Sequence, residues 1–69
     1  MAKVVDARGL SCPQPVILAR QAMEEGQFPI EVWVDTVTSR ENVRRAAERA
    51  GLKVQVEAVG DEFKLTLMR

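Results

Sequence analysis

The sequence predicts a two-layer α/β sandwich of order βαβαββ, with a four-stranded mixed sheet and two helices on one of its faces. Three observations lead there. Four short segments have strand character, most of them alternating apolar and polar residues with a period of two. Two longer segments between them repeat apolar residues at helical spacing. Each helical stripe is narrow and built of small residues, so each helix covers a sheet from one side only. Two right-handed βαβ crossovers in succession then place both helices on the same face.

Lys3-Val4-Val5-Asp6 is a short β-branched run and reads as the first strand, followed by a turn at Arg8-Gly9-Leu10-Ser11. Pro13 and Pro15 stand where a helix accepts proline, in its first turn. Val16, Ala19 and Met23, flanked by Leu18 and Ala22, form one face of that helix, while Arg20, Gln21, Glu24 and Glu25 point away. Gly26 stops it.

Ile30, Val32 and Val34 alternate with Glu31, Trp33 and Asp35, which gives a second strand with one apolar face and Trp33 on the other. Thr38 and Glu41 have capping-box spacing, and Val43, Ala46, Ala47 and Ala50 then recur as one helical face until Gly51 and Leu52. Val54, Val56 and Ala58 alternate in the third strand. Gly60-Asp61 turns, and Phe63, Leu65 and Leu67 alternate in the fourth. The open sheet face carries Trp33, Lys64, Thr66 and Met68 toward solvent or a partner.

Composition narrows the function classes. At 69 residues and 46% hydrophobic, the chain has room for one small domain, residues 1–69, and no second one. Ten Lys+Arg balance ten Asp+Glu, so direct nucleic-acid binding through bulk charge is not expected. One cysteine forms no internal disulfide, which points to the cytoplasm. No apolar run approaches the roughly 18 residues of a membrane span. The sequence has no histidine, which excludes a Cys–His pair and leaves no donor set for a transition metal, so no cofactor is expected.

The chemistry therefore falls to Asp6-Ala7-Arg8-Gly9-Leu10-Ser11-Cys12-Pro13-Gln14-Pro15. With Cys12 as N-cap, Pro13 is N1, Gln14 N2 and Pro15 N3, leaving the Gln14 and Val16 amides as donors of the first turn. Those donors and the positive end of the helix dipole lower a thiol's pKa from its free value of about 8.5, and Arg8 adds a cation if it turns that way. An unpaired cysteine is more often a small buried residue. Here it precedes a proline-initiated helix at the carboxyl end of a strand, where α/β folds place ligands.

Asp6-x-x-Gly9-x-x-Cys12-Pro13-x-Pro15, followed by a helix, a β-branched strand ending in Asp35 and a second helix, resembles the TusA/SirA/YedF family of small sulfur carriers. Val34-Asp35, Glu41-Asn42-Val43 and Ala50-Gly51 are most similar to the YedF branch, which is associated with selenium metabolism. Longer members of that branch carry a downstream domain, so the resemblance implies a stand-alone carrier or a piece of a larger protein.

The resemblance implies the same βαβαββ fold and a sulfurtransferase-type role. Cys12 accepts a persulfide from a donor protein, of cysteine desulfurase or rhodanese type, and passes it to an acceptor protein. Pro13 and Pro15, with Gln14 between them, shape the helix start. Gly9 allows the turn, Asp6 fixes the loop, and Asp35 matches the acidic residue after the second strand. A relay needs one accessible low-pKa thiol and no base or metal.

Asp6 and Asp35 both end strands and read as loop-capping carboxylates rather than a catalytic pair. On the second helix, Arg40, Arg44, Arg45 and Arg49 face Glu41 and Glu48, with Glu41 and Arg45 at the favourable i, i+4 spacing. That face is either solvated or a docking surface for an acidic partner or RNA. The alternative to a carrier is a non-catalytic interaction or regulatory domain with a redox-sensitive cysteine.

Overall fold

The computed structural model describes residues 3–11 and 13–69. Its elements are β1 (Lys3–Asp6), α1 (Gln14–Glu25), β2 (Ile30–Val34), α2 (Val37–Arg49), β3 (Lys53–Val59) and β4 (Glu62–Met68), so the predicted order holds. The sheet order is β1-β2-β4-β3, with β1 parallel to β2 and both remaining pairs antiparallel. The sheet is therefore mixed, and β2 and β4 are its inner strands.

Period-two alternation sorts the two faces. Val5 pairs with Val32, Val32 with Leu65 and Leu65 with Val56, while Ile30 pairs with Leu67 and Leu67 with Val54. Register thus lines the apolar residues up in rows under the helices. Ile30, Val32, Val34, Leu65 and Leu67 have no solvent exposure. Each such side chain stabilises the fold by about 1.5–3 kcal/mol. Ala19 and Ala22 of α1 and Val43 and Ala47 of α2 belong to the same buried cluster, so both helices pack on one sheet face. Their small side chains let the helix axes approach closely.

Four details depart from the sequence reading. The innermost face of α1 is Pro15, Ala19 and Ala22, whereas Val16, Leu18 and Met23 pack partly buried at its margins. Pro15 is thus a core residue as well as a helix former. Along β3, Val54 is half-buried but Val56 and Ala58 are exposed. The reason is position: β3 is an outer strand, and of its apolar residues only Val54, near its start, packs against the core cluster.

The cap of α2 is Thr36, not Thr38. Thr36 has extended backbone (φ −133°, ψ 153°), and its Oγ1 accepts the Ser39 amide at 3.0 Å. Extended geometry is what an N-cap needs, and Thr38 already lies inside the helix. Glu41, freed from the expected box, pairs instead with Arg44 at 2.7 Å, and Arg44 also reaches Glu48 at 3.0 Å. This replaces the Glu41–Arg45 pair that spacing suggested.

At the other end of α2 the predicted stop holds. Gly51 sits at φ +82°, donates to the Glu48 carbonyl at 3.0 Å, and lets the Leu52 amide reach the Ala47 carbonyl at 3.0 Å. This double closure needs a left-handed residue, which glycine supplies without strain.

The cap assignment has a direct test. Thr36→Ala is expected to cost roughly 0.5–2 kcal/mol in chemical denaturation, and Thr38→Ala to change stability by no more than about 0.5 kcal/mol. The opposite order would return the cap to Thr38.

Candidate functional site

Parallel pairing of β1 and β2 sends the loops that follow them out of the same sheet edge. The ladder continues past the strand end, with the Ala7 amide donating to the Trp33 carbonyl at 2.8 Å. From there the chain turns through Gly9, which has φ +75°. Among the described residues nothing lies within 4 Å of where a Cβ at Gly9 would stand, and its backbone conformation is what calls for glycine.

Two carboxylates hold this turn. Asp35, just beyond β2, accepts the Gly9 amide on Oδ2 at 2.8 Å. Asp6 accepts the Arg8 amide on Oδ1 at 3.2 Å and the Arg8 guanidinium on both oxygens, each at 2.8 Å. The loop is therefore tied to both parallel strands. Loop hydrogen bonding, the role read from sequence for Asp6 and Asp35, is what they perform here.

Arg8 does not stand as a free cation. Besides Asp6, its Nη1 donates to both oxygens of Glu62 on β4 at 3.2 and 3.3 Å, and the guanidinium lies 5.9 Å from the Trp33 ring centroid. Its charge is neutralised twice on the open sheet face. Lys64 approaches the same ring at 6.0 Å and pairs with Glu57 at 3.4 Å. The open face thus carries Trp33 and Lys64 as the alternation predicted, with Arg8 folded down on them. Glu62 was missed because it lies 54 residues from Arg8 and no local pattern marks it.

The helix start differs from the expected one by a residue. Pro13, at φ −99° and ψ 19°, is the N-cap of α1, so Gln14 is N1 and Pro15 is N2. The Ile17 amide donates to the Pro13 carbonyl at 3.1 Å, and the Gln14 amide donates back to the Ser11 carbonyl at 2.9 Å. That second bond ties the first residue of α1 back to the motif loop. It also occupies one of the two amides expected to serve the sulfur, because a preceding turn carbonyl satisfies it first. Cys12, assigned above as N-cap and nucleophile, lies outside the described residues.

With this geometry in place, comparison with known proteins decides the family. The family model described as sulfurtransferase TusA matches residues 3–69. The chain belongs to the TusA family. The crystal structure of the SirA-like protein from Desulfitobacterium hafniense matches with a TM-score of 0.84 at 32% identity, covering 97% of this chain and 95% of that one. Comparison with curated proteins gives no match. Membership of the TusA family supports a sulfur-carrier role.

In this TusA-family chain Arg8 keeps the Asp6 carboxylate ionised well below the usual carboxylate range. Arg8 beside Asp6, through its guanidinium and then its amide, holds the carboxyl at about 2 against the ordinary 3.8. The two carboxylates in turn raise the Arg8 pKa. Among the described residues no group of His, Cys, Asp and Glu is arranged to hold a metal ion. No helix among them is long and apolar enough to cross a membrane.

A depressed carboxyl contributes stability that is fully present above its unfolded value of about 3.8 and is lost as pH falls toward about 2. A carbon-detected NMR titration of Asp6 is expected to show a midpoint near 2 in the native protein and an ordinary midpoint in Arg8→Gln. An ordinary midpoint in the native protein contradicts the pairing.

Proposed function

We propose that this chain carries sulfane sulfur as a persulfide on Cys12, between a donor protein and an acceptor protein. The supporting observation is the conjunction of family membership over residues 3–69 with a single thiol in the sequence. Cys12 stands in the chain between a loop pinned by Asp6 and Asp35 and the proline-bracketed start of α1. No other residue type present takes up and releases sulfur at neutral pH.

In this reading the Cys12 thiolate attacks the terminal sulfur of the donor's persulfide. A new sulfur–sulfur bond forms on Cys12, the donor's sulfur–sulfur bond breaks, and its electron pair leaves with the donor thiolate. Delivery is the same exchange with an acceptor thiolate attacking the terminal sulfur and Cys12 leaving. Neither step consumes an external oxidant or reductant, and neither needs a cofactor. Pro13, Gln14 and Pro15 set the path of the chain into α1, Gly9 allows the turn, and Asp6, Arg8 and Asp35 hold it.

Transfer by attack requires direct contact between proteins. Leu10 in the motif loop, Ile17 in α1 and Val37 at the start of α2 are large apolar side chains exposed at 38%, 42% and 56%. Leu10 lies within the motif, Ile17 follows it on α1 and Val37 stands two residues after Asp35, and they suit a docking rim. The resemblance to the YedF branch extends the proposed cargo to selenium, since a thiolate attacks selenium bound to a donor sulfur in the same way. A persistent free thiol fits the reducing cytoplasm.

Incubation with a cysteine desulfurase and free cysteine, followed by intact mass measurement, tests the proposal. The expected outcome is a gain of one sulfur that is lost on reduction, with none gained by Cys12→Ser. Labile sulfur on Cys12→Ser, or none on the native protein, would falsify the carrier reading. The second result favours an interaction domain with a redox-sensitive cysteine.

A further inference from the structure

The charges of α2 fall into two unlike groups. Arg40 and Arg44 both contact Glu41, and Arg44 also takes Glu48, so the acids of this helix are drawn to one side. Arg45 and Arg49 lie on the other side, and among the described residues they join no ion pair, nor does Arg20 of α1. Glu24, one turn from Arg20, lines the adjoining pocket with Arg20 and Arg49, so in a chain with zero formal net charge three cations against one carboxylate leave a local excess of positive charge.

These three arginines rim one groove. Val16 and Arg20 are one turn apart on α1, and Arg45, Ala46 and Arg49 form a single face of α2, so the helices present the two walls of a cleft of about 290 Å3. Val16 and Ala46 supply its apolar surface. Pro13, the N-cap of α1 and the residue after Cys12, lines it too. The groove therefore adjoins the helix start at which the reactive motif ends.

We propose that this groove is a docking site for an acidic segment of a protein partner, with the carboxylates of that segment held by Arg20, Arg45 and Arg49. This deepens the sulfur-carrier proposal and rests on it for the partner's role as the protein that exchanges sulfur with Cys12. Arginine pairs carboxylates in bidentate fashion, and the apolar surface between the cations takes the aliphatic parts of an amphipathic peptide. An RNA partner fits less well. No aromatic side chain lines the groove to stack a base, and the balanced overall charge gives little counterion-release affinity.

The test uses an isotope-labelled native chain and a synthetic helical peptide built on the repeat Glu-Ala-Leu-Glu, with oligouridine RNA and inorganic phosphate as competing probes. The peptide is expected to shift the amide signals of Arg20, Arg45, Ala46 and Arg49 and to weaken steeply with salt. Arg45→Glu/Arg49→Glu is expected to lower its affinity at least about tenfold, with Arg45→Gln/Arg49→Gln in between. Tighter binding of RNA, shifts confined to another surface, or equal affinity in the charge-reversed variant overturns the proposal.

A separate measurement keeps the two proposals apart. Cys12 is loaded with inorganic polysulfide, which needs no docking, and the charge-reversed variant is expected to load like the native chain. Under desulfurase donation its sulfur uptake is expected to fall at least about tenfold. Equal uptake from the desulfurase overturns the groove's role in sulfur exchange and leaves the carrier reading standing. Failure of the native chain to load from either source removes the carrier reading, while groove binding of the peptide is read independently.

Discussion

The hydrogen bond from the Gly9 amide to Asp35 Oδ2, at 2.8 Å, joins the motif loop to the strand that organises the sheet. β2 pairs with β1 on one side and β4 on the other, and Ile30, Val32 and Val34 are fully buried beneath the helices. It is the most deeply buried strand of the sheet. Asp35 follows its end directly, so the turn at Gly9 is tied to this central strand. Without this link the turn at Gly9 would be held by the end of β1, a four-residue outer strand, by the Ala7–Trp33 bond and by the exposed ion pairs of Arg8.

Charge placement follows the same economy of position. Arg8 is neutralised by Asp6 and Glu62, and Arg44 by Glu41 and Glu48, which settles those cations on the protein itself. Exposed pairs of this kind add little to stability, roughly 0–1 kcal/mol each. Their consequence is directional. By holding Glu41 and Glu48 on one side of α2 they leave the side facing α1 positive, and that side meets Pro13.

Much of this was legible from residue patterns because the signals were local. The bounds of β1, the start of β2, the stops at Gly26 and Gly51 and the Gly60-Asp61 turn all rest on neighbours within a few residues. The two-layer arrangement followed from narrow alanine-rich stripes. What escaped depended on contacts between distant segments or on competition between similar residues. Glu62 reaches Arg8 across 54 residues. Thr36 and Thr38 are both competent caps, and only the extended backbone at Thr36 decides between them. Pro15 looked like a helix initiator, and its burial depends on where α1 lies over the sheet. The donors expected at the sulfur changed because Ser11 captures the Gln14 amide.

In the proposed carrier role, with Arg8 and the Gln14 amide both engaged elsewhere and with no histidine in the sequence, activation of Cys12 is left to its chain position before α1. The carrier proposal has the folded chain itself make this thiol reactive. The most direct measurement is the alkylation rate of Cys12 against pH, in the native protein and again in denaturant. The account predicts a native midpoint below the free-cysteine value of about 8.5 and an unfolded midpoint at that value. The same midpoint in both states would contradict it, and would assign activation of the thiol to the complex with its donor.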